Sequence, residues 1–121
     1  TGIDLDQKSS LILYRTNVKR DPGVFSSWKN SNLIITLQDF LYVFDEKITK
    51  KCPNKFRLNK VEIRLKDDKK FPYRFELLEP KKVLFFNTTN DVVIDPMTKD
   101  RLDDIAFFIE VAKENEIKQI K

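Results

Sequence analysis

Two carboxylate pairs, Asp67-Asp68 and Asp103-Asp104, are the residues whose type and spacing would suit proton transfer. General acid/base work needs two carboxyls whose surroundings push their pKa values apart. Neither pair offers that contrast. Asp67-Asp68 runs into Lys69-Lys70 in a stretch with the composition of a hairpin turn. Asp103-Asp104 falls near the start of a helical pattern, where carboxylates answer the positive end of the helix dipole. Nucleophilic chemistry is further away still. The chain has no histidine and a single cysteine, Cys52. That count removes Ser-His and Cys-His pairs, Cys/His zinc sites and an intrachain disulfide. The lysines of Lys50-Lys51-Cys52-Pro53 would favour a thiolate, but a bystander thiol is the simpler reading. We read the sequence as a binding module rather than an enzyme, with no cofactor and no metal.

What remains is positive charge. Lysine and arginine number 23 against 19 carboxylates, a net charge of +4 that favours acidic partners. The cations gather where the chain turns. Lys19-Arg20 precede Asp21-Pro22-Gly23, the strongest breaker in the sequence, and Lys47, Lys50 and Lys51 share the loop Asp45 to Asn54. Trp28 could stack on a nucleic-acid base, but half-buried packing suits its strand position better.

The elements that must hold these residues are nearly all strands. Leu11-Ile12-Leu13-Tyr14 opens the first, Phe25 to Leu37 makes the second, and Phe40 to Phe44 the third. Period-two alternation then marks Phe56 and Leu58, next Val61, Ile63 and Leu65, and next Tyr73, Phe75 and Leu77. Glu79-Pro80-Lys81-Lys82 reads as a turn and Val83-Leu84-Phe85-Phe86 as a seventh strand. After Asn90 the period changes. Thr98 caps a helix reaching about Lys118, with Leu102, Ile105, Ala106, Ile109 and Ala112 on one face. Its polar face mixes both charges, which argues for a core helix over a membrane-surface one. Residues 1–10 read as a polar linker, 11–118 as one domain, and the start at Thr1-Gly2 as a piece of a longer protein. No apolar run reaches membrane-spanning length, and no signal peptide is expected.

Seven strands closed by one helix resembles the pleckstrin-homology (PH) domain. Ser27-Trp28-Lys29 leading into Leu33-Ile34-Ile35-Thr36 is similar to that family's second strand. Phe40-Leu41-Tyr42-Val43-Phe44-Asp45 is similar to its third, and Phe75-Glu76-Leu77 to its sixth. The resemblance implies a mainly β fold: a seven-stranded antiparallel barrel or sandwich capped by one C-terminal α-helix. Two departures stand out. Where the family's closing helix carries a tryptophan that plugs the barrel, this chain has Ile105, Phe107 and Phe108. Where phosphoinositide-binding members end a Lys/Arg-x-Arg pair with arginine, it has Lys29-Asn30-Ser31.

The resemblance further implies a membrane-targeting part of a larger eukaryotic protein, cytoplasmic and peripheral at the plasma membrane. Its partner would be a phosphoinositide-containing membrane, and its headgroup site Arg15, Lys19, Arg20, Lys29, Lys50 and Lys51 at the open barrel end. Near an anionic leaflet each such cation is worth about 1 kcal/mol, so the set needs a second anchor. Val24 and Phe25 would add shallow insertion. Lys69 and Lys70 mark the alternative site that some members use across the first hairpin. The rival reading is a protein-interaction module, docking a small GTPase or a complex subunit. Nucleic-acid binding on an OB-like barrel fits the charge but not the closing helix.

Overall fold

The computed structural model describes residues 12–21, 27–37, 39–45 and 54–120. Strands β1 (Ile12–Arg20), β2 (Lys29–Thr36), β3 (Phe40–Asp45), β4 (Asn54–Arg57), β5 (Glu62–Leu65), β6 (Phe75–Val83) and β7 (Phe86–Asp95) precede one helix, α1 (Lys99–Ile120). All pairings are antiparallel, in the order β4-β3-β2-β1-β7-β6-β5. This is the expected class. The expected linker 1–10 lies outside the described residues.

Alternation decides which face meets the core. Val18, Leu33, Ile35, Leu41, Val43, Phe56, Phe75, Leu77 and Ile94 fill the inner face, and Ile105, Ile109 and Ala112 of α1 close over them. β2 and β3 are buried on both faces, with Ile34, Tyr42 and Phe44 forming a second cluster on the outer side. That explains why Leu33-Ile34-Ile35 is a continuous apolar run rather than an alternating one. Thr98 caps α1 by accepting the Arg101 N–H at 3.1 Å.

The plug against the barrel differs from the expected trio. Ile105 is buried, and Phe108 stacks on Tyr14 of β1 with centroids 4.6 Å apart. Phe107 instead faces solvent, 61% exposed, with its ring nearly perpendicular to that of Phe108 at 5.2 Å.

The largest departure from expectation concerns the last hairpin. Glu79-Pro80-Lys81-Lys82 is not a turn, and Val83 to Phe86 is not a strand. β6 runs straight through the former, and the ladder to β7 continues to Val83↔Phe86, leaving Leu84-Phe85 as a two-residue turn. Pro80 is tolerated because β5 pairs with β6 only as far as Leu78, so no neighbour needs its missing N–H. Leu84 sits at φ 54°, the left-handed region where a branched side chain crowds the backbone and glycine does not. Leu84→Gly should raise stability by about 0.5–1 kcal/mol once glycine's own entropy is counted. A higher urea midpoint at unchanged m-value is the expected readout, and a lower one contradicts this account of the turn.

Candidate functional site

Directly opposed residues of an antiparallel pair share a face, so the β1–β2 register sorts the expected cations. Arg20↔Lys29 and Val18↔Ser31 face inward; Lys19↔Asn30, Asn17↔Asn32 and Arg15↔Ile34 face outward. Arg20 and Lys29 therefore meet at the barrel mouth, while Arg15 and Lys19 lie on the opposite face, both exposed. Lys50 and Lys51, and with them Val24 and Phe25, lie outside the described residues. Arg15 and Lys29 do not share a face, because Arg15 lies an odd offset of five positions from Arg20, Lys29's partner.

Arg20 spans the mouth. Its Nη2 pairs with Asp45 Oδ1 at 2.6 Å, and its Nη1 donates to Asn54 Oδ1 at 3.4 Å, which ties β1 to the end of β3 and the start of β4. Its Nε is buried and has no hydrogen-bond partner among the described residues. Ser31, where an arginine would extend the cationic set, is buried and turned back on Lys29 O at 3.3 Å. On the outer face a polar hollow of about 320 Å³ is lined by Asn17, Asn30, Asn32 and Met97 beside Val18 and Ser31.

The alternative position, beside Lys69 and Lys70, is built differently. Asp68 Oδ1 accepts the N–H groups of Lys70 and Phe71 at 2.9 and 3.2 Å, which fixes the loop. Arg74 is held between two rings, 3.9 Å from Trp28 and 3.5 Å from Phe71, with its Nε on Asp95 Oδ2 at 3.1 Å. Trp28 is half-buried packing, and its partner is a guanidinium. A hollow of about 440 Å³ there sets Lys66, Lys69 and Arg74 against Asp21, Asp67 and Asp68, a balance that disfavours a polyanion.

Two further features lie outside the basic set. A groove of about 530 Å³ runs between β5 and α1, lined by Ile63, Leu65, Leu102, Ala106 and Ile109. Leu84 and Phe85 stand out from the β6–β7 turn, 81% and 96% exposed. Neither was legible from patterning, because both are made of apolar residues that strand and helix periodicity assigns to a core. No helix among the described residues is long and apolar enough to cross a membrane. No group of three or more His, Cys, Asp or Glu there could hold a metal ion.

A seven-stranded antiparallel barrel with β2–β3 buried on both faces and a helix over its open end defines a recognisable class. No family model matches the chain, and no curated protein matches it. Solved structures do. The PH domain of the human KIAA0053 protein superposes with a TM-score of 0.67 at 11% identity, over 86% of this chain and 90% of that one. The Slm1 PH domain in complex with inositol-4-phosphate gives 0.62 at 13% identity, over 85% and 96%. The DH/PH domains of PDZ-RhoGEF, in complex with activated RhoA, give 0.62 at 14% identity, over 86% of this chain and 29% of that one. The chain has the pleckstrin-homology fold, as its residues suggested.

Arg74→Lys should not substitute for Arg74, since an ammonium cannot lie flat between two rings. A loss of about 2 kcal/mol in urea unfolding is expected, and wild-type stability in the lysine variant would contradict the sandwich. Glu76 titrates above its ordinary value because it hydrogen-bonds the Asp91 carboxyl and is partly desolvated, with Lys66 and Arg64 opposing. A raised folded-state pKa means the folded chain holds the extra proton, so this contribution is present in acid and lost as pH rises through that pKa. Glu76→Gln should therefore gain melting temperature relative to wild type progressively from about pH 4 to pH 7. A difference that is flat with pH contradicts the shared proton.

Proposed function

We propose that this chain is a membrane-targeting module, without catalytic activity of its own, that binds phosphoinositide headgroups or anionic lipid at the barrel mouth. The observation that carries the reading is the inward pair Arg20–Lys29 at the end of a PH fold, beside a guanidinium whose Nε has no protein acceptor among the described residues. A phosphomonoester needs donors converging from different strands, and an arginine fork with an adjacent ammonium supplies them. The Slm1 PH domain, similar in fold, was solved with inositol-4-phosphate. Lys19, Arg15, Lys50 and Lys51 complete the proposed set, with Lys19 and Arg15 adding charge on the outer side and the two loop lysines proposed from sequence alone. The proposed location is the cytoplasmic face of a eukaryotic plasma membrane.

Asp45 competes for the same guanidinium, so headgroup binding exchanges one anion for another. That exchange accounts for a site that works without the second arginine only when other contacts hold the domain at the surface. A protein-docking role is the second reading, favoured by the apolar β5–α1 groove and by the PDZ-RhoGEF likeness, whose structure contains RhoA.

Lys19→Glu with Lys29→Glu reverses two exposed charges without touching the core. Partitioning onto vesicles of phosphatidylcholine, phosphatidylserine and phosphatidylinositol-4-phosphate should fall by on the order of a thousandfold, at about 1 kcal/mol for each of the two cations removed and a similar repulsion for each of the two anions gained. Asp45→Asn should strengthen the same binding severalfold by freeing Arg20. Unchanged pelleting in both variants contradicts the proposal and turns attention to the groove.

A further inference from the structure

We propose that the β6–β7 turn is a membrane-insertion tip: Leu84 and Phe85 enter the outer few ångströms of an anionic bilayer while Lys81 holds the phosphate level. The inference rests on the membrane reading above and names its second anchor. Leu84 and Phe85 are the two most exposed large apolar side chains among the described residues, and they are adjacent. Their position is not an accident of loop length. β7 meets β1 only at Lys19↔Asp95 and Arg20↔Ile94, so the rest of β7 and its partner β6 run past the end of β1. Asn90 is level with the start of β4, donating to Lys55 O at 2.9 Å. From there the ladder continues to Phe86, roughly 13 Å further at the usual strand rise. The hairpin overhangs the same barrel end as Arg20 and Lys29.

The chemistry of the overhang selects a bilayer over a protein surface. From Lys81 to Asn90 the chain carries two lysines and no carboxylate. Lys81, Thr88 and Thr89 are exposed beside the tip, so among the described residues its exposed neighbours are polar and its exposed apolar surface is two adjacent side chains, small for a protein interface. Lysine behind an apolar tip is the arrangement that suits the headgroup boundary, with its stem along the acyl region and its charge among phosphates. Position 84 also holds a leucine where the backbone favours glycine. Turn geometry does not account for that residue; an apolar contact does.

The test exploits the same backbone. Leu84→Gly with Phe85→Asn gives the turn a sequence its geometry prefers, so the variant keeps its fold and any loss of binding belongs to the tip. With vesicles of phosphatidylcholine and phosphatidylserine, partitioning should drop about a hundredfold, the lower end of the scale for withdrawing two large apolar side chains from an apolar environment. Affinity for soluble inositol-1,4-bisphosphate should not change. In a Phe85→Trp variant, bromine-labelled lipid should quench emission beyond the quenching seen with Trp28 alone. Wild-type partitioning by the double variant overturns the proposal and assigns the tip to a protein partner; absence of the added quenching also overturns it. Failure of the headgroup reading looks different. Inositol bisphosphate then goes unbound by wild type, while the double variant still loses vesicle partitioning, which leaves the tip standing.

Discussion

Closure of the sheet is the constraint on which the rest of the molecule depends. A seven-stranded sheet in the order β4-β3-β2-β1-β7-β6-β5 curls until β4 comes against β6 and β7, with no backbone ladder between them among the described residues. Two side chains there make the join. Glu79, 2% exposed, accepts the Arg57 N–H at 2.9 Å, and Asn90 donates to Lys55 O at 2.9 Å. A buried carboxylate is costly unless hydrogen-bonded, so its place at this seam reflects a backbone donor that no strand satisfies. The other open end is sealed by α1, where Lys113 Nζ reaches Val61 O at 2.8 Å and Asn115 Nδ2 reaches Leu37 O at 2.7 Å. Apolar burial fills the interior; these polar latches keep water from it.

The same closure shapes the barrel mouth. Because β7 is tied to β1 over two residue pairs only, β6 and β7 project past the mouth, and their tip stands clear of the protein. Arg20 is central there. Its pairing with Asp45 and Asn54 stitches three strands together, and the proposed function draws on the same guanidinium. In the proposed function an incoming phosphate draws on a group the fold already uses, which limits headgroup affinity and makes a second contact with the membrane necessary.

Much of this was legible in the sequence, for identifiable reasons. Alternation located β4, β5 and β6, with Phe56, Phe75 and Leu77 on a buried face, but Val61 lies just ahead of β5, Leu65 is exposed, and Tyr73 falls in the turn before β6. The helix was readable from Thr98 and its spaced apolar residues. The β6–β7 turn was not, because Val83-Leu84-Phe85-Phe86 carries no glycine, asparagine or aspartate to mark it, and Pro80 lies inside a strand where its lost N–H costs nothing. A count of the polar positions after Phe86 contains the missing signal, since Val92 and Ile94 alternate in register with Leu77 and Phe75. The faces of the proposed cations were not legible. Arg15 and Arg20 look alike on the page, yet the ladder sends one out and the other in. The Arg74 sandwich joins Trp28 to Phe71 across distant segments, a contact no local pattern encodes.

The proposed function has the barrel mouth binding a phosphorylated headgroup. Amide chemical shifts of the isotope-labelled domain, followed while soluble inositol-1,4-bisphosphate is added, test it most directly. The account predicts saturable shifts at Lys19, Arg20, Lys29 and Asn30, with Asp45 moving as its ion pair with Arg20 is exchanged. Shifts confined to Lys69 and Lys70 or to the β5–α1 groove, or no shifts at all, would contradict it.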